Sequence, residues 1–338
     1  MFRLPNSGPT SLAARQNVDQ NLAQIRAVLK QLNLEASTNI FVTADHGFST
    51  ISKESKTSYS RTLDYPDVMK GFLPPGFLAI DIAHGLGLSL FDPDKQNTAV
   101  DPTQGKFSKN GLIAKEANKP DVLVAANGGS DLIYLPNSAN NKAIAKQVVN
   151  ILLKEDYVSG LFVNDKLGSI PGTLPLSAIG LDGKSHLPSP AIVVNFRTFD
   201  TGCGDPTACG VEVADSSLQQ GQGMHGSFSR ADTYNYMAAI GSDFKKAFVN
   251  RVPVSNADVA ITLAKTLNLN IPHQGKLIGR VLHKSLVKGV KKVSFKSNTL
   301  TSQPSTNGLK TILKYQIVGS TRYFDVAGFP GRTLGLAK

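Results

Sequence analysis

Leu12, Val18, Leu22, Ile25, Val28, Leu29 and Leu32 recur at helical spacing, so the stretch SLAARQNVDQNLAQIRAVLKQLNL reads as one amphipathic helix closed by Asn33. The β-formers of NIFVTA, residues 39–44, predict a buried strand directly after it. A helix, then a strand, then a turn bearing an acid and a histidine is the alternation of a parallel sheet covered by helices. From Ser49 to about Asp64 the chain is rich in serine, threonine and lysine and predicts a loop. PPGFLAIDIAHGLGLSLFDPD carries a short helix, and polar punctuation continues to Lys119. Residues 53–120 are therefore expected as a loop-rich insertion outside the core.

Apolar patterning returns at Asp121. DVLVAANGGSDLIYLP predicts two short strands around Asn127-Gly128-Gly129, and NNKAIAKQVVNILLKED a second amphipathic helix. VSGLFVND and SPAIVVNFRTF predict further strands, residues 234–240 another, and SNADVAITLAKTLNLNIP a helix capped by Ser255 or Asn256. The tail from Lys291 alternates like a small β-hairpin, so 286–338 is expected as a hairpin-like basic tail following a main unit over 1–285.

Composition changes this picture little. The 338 residues are 41% hydrophobic and 18% charged, which suits a globular chain with one large core or two domains. No run of about eighteen apolar residues predicts a membrane span, and the first twenty residues lack a signal-peptide core. The formal net charge of +11 would attract anionic substrates or acidic surfaces, but no nucleic-acid-binding motif accompanies it. Cys203 and Cys209 lie in the loop DTGCGDPTACGVE, whose short separation permits a disulfide or leaves two free thiols. The disulfide is expected, and it would suit an extracytoplasmic compartment.

The chemistry concentrates at two glycine-flanked histidines. Asp45-His46-Gly47 ends the first predicted strand, and Gly223-Met224-His225-Gly226-Ser227 precedes the last. Carboxylate and neutral imidazole suit zinc or a similar divalent ion, and ligands this far apart in sequence must meet through the fold.

VTADHGFST, GMHGSFSRADTYNYMAAIGSDFK and PVSNADVAITLAKTLNLNIPHQGKLIGRVL, in this order, resemble the alkaline phosphatase superfamily, nearest to its type I phosphodiesterase and nucleotide pyrophosphatase branch. The resemblance implies an α/β fold with a mixed, mostly parallel sheet flanked by helices. It implies a hydrolase of phosphate esters using two divalent ions, usually zinc, and a small phosphate-ester or nucleotide-like substrate. Asp45 and His46 would hold one ion and His225 the other. A threonine or serine nucleophile would attack phosphorus.

The family places its nucleophile, a first aspartate and a D-x-x-x-H motif before the D-H-G strand. Here that region holds one aspartate, Asp19, within the helix, and no histidine; Ser7, Thr10 and Ser11 stand in the wrong position for a nucleophile. The chain accordingly reads as the C-terminal part of a longer, periplasmic or secreted enzyme, with no catalytic nucleophile of its own and little or no activity. The rival readings are a non-catalytic binding or structural unit and a phosphonate or sulfate ester hydrolase of the same superfamily. His84, His273 and His283 read as surface histidines, and His186 as a loop residue that could line a substrate groove. Asp258 reads as a first-turn acid complementing its helix, with a supporting role at the site as the alternative. Lys115, Lys119 and the tail lysines read as solvated charge.

Overall fold

The computed structural model describes residues 8–136, 141–183 and 186–337. Helix α1 (Pro9–Gln31) leads into β1 (Ile40–Thr43) and β2 (Ser49–Ser52). Then come α2 (Phe77–Leu86), β3 (Ser89–Asp92), β4 (Thr98–Val100), β5 (Gly111–Ala114), β6 (Val122–Ala126) and β7 (Ser130–Tyr134). They are followed by α3 (Asn141–Leu152), β8 (Val158–Val163), β9 (Leu174–Pro175), β10 (Ile192–Phe196) and β11 (Thr198–Asp200). Next are α4 (Pro206–Cys209), β12 (Gly210–Val213), β13 (Gly223–Met224), α5 (Arg230–Thr233), β14 (Met237–Ile240) and α6 (Ala257–Thr266). The chain closes with β15 (Lys296–Thr301), β16 (Ile312–Val318) and β17 (Thr321–Gly328).

The architecture is mixed α/β, as expected. The largest sheet has eight strands in the order β4-β3-β5-β6-β7-β10-β8-β9. A four-stranded sheet runs β11-β12-β2-β13, a three-stranded one β15-β16-β17, and β1 pairs with β14 alone. The direction of the ladders departs from expectation. Among the described strands the parallel pairs are β2 with β12 and β8 with β9, and every other pair is antiparallel. The cause is connection length. β3–β4, β5–β6 and β6–β7 are joined by short links, and a short link can only return antiparallel, whereas parallel pairing needs a long crossover.

Residues 53–120 are also not an insertion outside the core. The stretch Phe77-Leu78-Ala79-Ile80-Asp81-Ile82-Ala83 is buried throughout and packs with Leu90, Ile113, Val148, Val149 and Phe196. A helix apolar on all sides belongs in an interior; the polar residues around α2 masked this in the sequence. Phe77, Tyr157 and Phe196 form an aromatic knot, with Phe77 edge-on to Tyr157 at 4.9 Å. The tail past residue 285 makes three strands instead of a hairpin, and Leu313 and Ala327 share a hydrophobic cluster with Phe162 and Val193 of the large sheet.

Helix α1 forms over the expected residues but buries none of them, and Leu12, Val18, Ile25, Val28 and Leu32 stay exposed. The four-residue strands β1 and β14 offer too small a face to cover it.

Within the core, Asp215 joins the two large sheets to α2: its carboxylate accepts N–H bonds from Gly76 at 2.6 Å and Leu78 at 3.5 Å, at the start of the helix. Asp81 is the one acid inside α2. It accepts from Ser60 N–H at 2.8 Å and from the Tyr157 hydroxyl at 3.0 Å. Burial outweighs these bonds and raises its pKa from 3.8 to about 7. The folded protein therefore keeps a proton that the unfolded chain has lost between these two values. Stability should fall as pH rises through that window and level off above it, by on the order of 4 kcal/mol for this group. Urea denaturation at pH 5 and pH 8 checks this: the wild type should lose markedly more stability than Asp81→Asn, and equal losses would refute it.

Candidate functional site

Strand β1 delivers Asp45 and His46 to a turn that is held from three sides. Ala44 N–H bonds to Tyr236 O, and Ala44 O accepts from the side-chain amides of Asn235 at 2.8 Å and Asn256 at 2.9 Å. Asn256 also donates to Asp45 O at 2.8 Å and accepts from the Thr43 hydroxyl at 2.8 Å. The sequence reading offered Asn256 as a helix cap; its side chain caps nothing and instead fastens this turn. At Gly47 any Cβ would run into the carbonyl of Ala231, so the glycine permits close approach of α5.

His46 has a defined orientation. Its Nδ1 lies 2.7 Å from Gly47 O, and a carbonyl only accepts, so Nδ1 carries the proton. In the neutral ring this leaves Nε2 as a bare lone pair, 3.3 Å from Asp45 Oδ2. The His225 ring stacks on His46 with centroids 3.7 Å apart and planes at 23°. Phe48 flanks both rings at 6.1–6.3 Å. Two motifs remote in sequence thus meet, with His46 between Asp45 and His225.

The segment carrying His225 rests on the Asn127-Gly128-Gly129 turn, which the sequence suggested was a plain turn. Gly129 N–H donates to His225 O at 3.0 Å, and Gly128 exchanges backbone bonds with Asp215. Asn127 N–H is fixed by Asp131 at 2.8 Å. A Cβ at Gly128, whose φ is 86°, would meet the Met224 methyl at 2.6 Å. One at Gly129 would meet Glu212 Oε2 and Ser227 N, both at 2.6 Å.

Below the two histidine segments lie Asp232 and Glu212, both buried. Asp232 accepts from the Ser49 hydroxyl at 2.8 Å, from Ser227 N–H at 2.7 Å and from the Ser227 hydroxyl at 2.8 Å. Burial, then the neighbouring Asp232, holds the Glu212 pKa well above the usual carboxylate range. Asp232 was not singled out in sequence, although Ser229-Arg230-Ala231-Asp232 has the S-x-x-D spacing of a helix start. Glu212 carries no local signal.

The donors fit a divalent ion in part. Two ligands bonded at about 2.05 Å and tetrahedral angles stand roughly 3.3 Å apart, the separation of Nε2 and Asp45 Oδ2. The Nδ1 bond to a backbone carbonyl is the support that metal-binding histidines use. Among the described residues, however, no group of three His, Cys, Asp or Glu side chains gathers as one ligand set. Asp19 is exposed on α1 and Thr10 lies in its first turn; Ser7 falls outside the described residues. His186, His273 and His283 are exposed, and exposed His84 stacks on Tyr59 at 3.6 Å. Asp258 does begin α6, but it is buried and bonds Ser255 N–H, Arg280 N–H and the Tyr323 hydroxyl. Cys203 and Cys209 form a disulfide, with Cα atoms 6.3 Å apart.

Beside His46 opens a cleft of about 1140 Å³, lined by Phe48, Tyr234, Tyr236, Arg15 and Arg251 among others. A profile of the type I phosphodiesterase / nucleotide pyrophosphatase family matches residues 3–194, more than half of the chain. The chain belongs to that family. The matched stretch contains Asp45 and His46 and stops before His225. Members of this type I phosphodiesterase family hydrolyse phosphate esters, including small esters and nucleotides, and are generally metal-dependent. Neither a search of curated proteins nor one of solved structures returns a match. No helix of the described residues is long and apolar enough to cross a membrane.

If the fit between residues 127–129 and 224–227 sets the site, Gly129→Ala should cost about 1–3 kcal/mol, because the added methyl must displace Glu212 or the backbone at Ser227. Chemical denaturation measures this; a change under about 0.5 kcal/mol would show that the segment yields freely.

Proposed function

We propose that Asp45, His46 and His225 are the metal-facing residues of a phosphate-ester hydrolase site that takes two divalent ions, zinc in the usual case. Asp45 and His46 serve one ion, and His225 contributes to the second. The observation that carries this reading is Nε2 of His46 facing a carboxylate oxygen at 3.3 Å while Nδ1 is held by a backbone carbonyl; in the neutral ring that is an acceptor-to-acceptor approach, which a bound cation would resolve. When bound, such ions offset charge on phosphoryl oxygens. The arginines and aromatic rings of the cleft suit the other half of the substrate, an anionic ester with an organic group of nucleotide size. The disulfide supports an extracytoplasmic setting, periplasmic or secreted.

On this reading the chain as given does not turn over. A two-ion site needs further donors and an in-line nucleophile, and the described residues offer no third member for the ligand set. That same observation favours the second reading, in which the fold serves as a binding or structural unit. A sulfate or phosphonate ester hydrolase would present the same donors.

Calorimetric zinc titration together with assays on p-nitrophenyl phosphate and bis-p-nitrophenyl phosphate separates these outcomes. The expected result is weak zinc binding that His46→Ala abolishes, with hydrolysis no faster than the zinc blank. Tight binding of two ions with sustained turnover would overturn the claim of inactivity. No zinc binding at all would overturn the metal reading and leave the binding-unit reading standing.

A further inference from the structure

We infer that Asp232 is the positioning residue that holds the two histidine segments against one another. Four hydrogen bonds converge on this one residue. Its backbone carbonyl accepts from Gly47 N–H at 2.8 Å, next to His46. One carboxylate oxygen accepts from the Ser49 hydroxyl, three residues past His46. The other accepts from both the N–H and the hydroxyl of Ser227, two residues past His225. No other described side chain bonds both segments. Asp232 is itself anchored, because the neighbouring Arg230 makes a two-pronged bond to Asp325 on β17 at 2.9 and 2.8 Å. It also lies under cover, 5% exposed, where hydrogen bonds are not traded for water.

Glu212 completes the arrangement. It is wholly buried beside Gly129, where an added Cβ would meet its Oε2 at 2.6 Å, and burial holds its pKa well above the usual carboxylate range. The bonds reach Gly47, Ser49 and Ser227, so the role of Asp232 is exercised through residues 47–49 and 225–227.

The hydrogen bonds stand whether or not a metal binds; only the affinity arm below rests on the metal reading. Two readouts are taken on the full chain. The first is the histidine ring-proton shifts by NMR without metal, where the face-to-face stacking of His46 and His225 displaces both from the positions of exposed histidines. The second is zinc affinity by calorimetry. Asp232→Ala should return both sets of shifts toward exposed-histidine values while dispersed core amides persist, and should weaken zinc binding about 10–100-fold. Glu212→Gln, which leaves all four bonds to Asp232 in place, should keep both readouts near wild type. If Asp232→Ala does not fold, Ser49→Ala with Ser227→Ala removes the two hydroxyl bonds, leaves the Ser227 N–H bond, and should give a loss of stacking in the same direction. Wild-type shifts in whichever of these variants folds would overturn the proposal. If the wild type binds no zinc, the metal reading fails, and the ring shifts still decide the clamp.

Discussion

There is no room for a side-chain carbon between the Asn127–Gly129 turn and the segment 224–227, and the position of His225 follows from that fit. The turn joins β6 to β7 near the middle of the eight-stranded sheet, and α2 and α3 are buried against that sheet. Displacing His225 therefore means moving a central hairpin of the main core. Asp215 extends the same constraint, since it bonds Gly128 through its backbone and the start of α2 through its carboxylate. Interiors are packed too closely to absorb such shifts gradually. The second histidine is thus placed by the most rigid part of the molecule.

The first histidine belongs to a different setting. Asp45 and His46 end a short strand that pairs only with β14, and α1 before it leaves its apolar stripe in water. Their placement comes from hydrogen bonds to Asn235, Asn256 and Asp232, together with the close fit of Gly47 against Ala231 and the pairing of β2 with β13 just beyond them. Asp45 is 86% exposed, and an exposed pair with His46 adds little stability by itself. One donor is held by a core and the others by a polar net. Such a site suits residues whose worth lies in what they bind and not in stabilising the fold.

How much of this could be read from the sequence varied with the kind of interaction involved. The helices at 9–31 and 257–266 and the strand before Asp45 were legible because periodicity is local. The two histidine motifs were legible because glycine beside histidine marks tight turns, and their meeting followed once they were read as one site. Ladder direction was not legible, because it depends on how long each connection proves to be. Helix α2 was legible as a helix, but its burial was obscured by the polar residues around it. The supports of the site were the least visible. Asn256 looked like a cap and Asn127–Gly129 like an ordinary turn. Asp232 and Glu212 were not singled out at all. Each is defined by a partner far away in the chain, and no local pattern announces a buried acid that meets two loops.

The central claim is that donors from the two remote motifs act as one site. Titrating cobalt(II) into the chain while following its six histidines by NMR tests this most directly. His46 and His225 should broaden together at the lowest cobalt concentrations, with His84, His186, His273 and His283 affected only later. Broadening that begins at His273 or His283, or that reaches His46 without His225, would contradict the account.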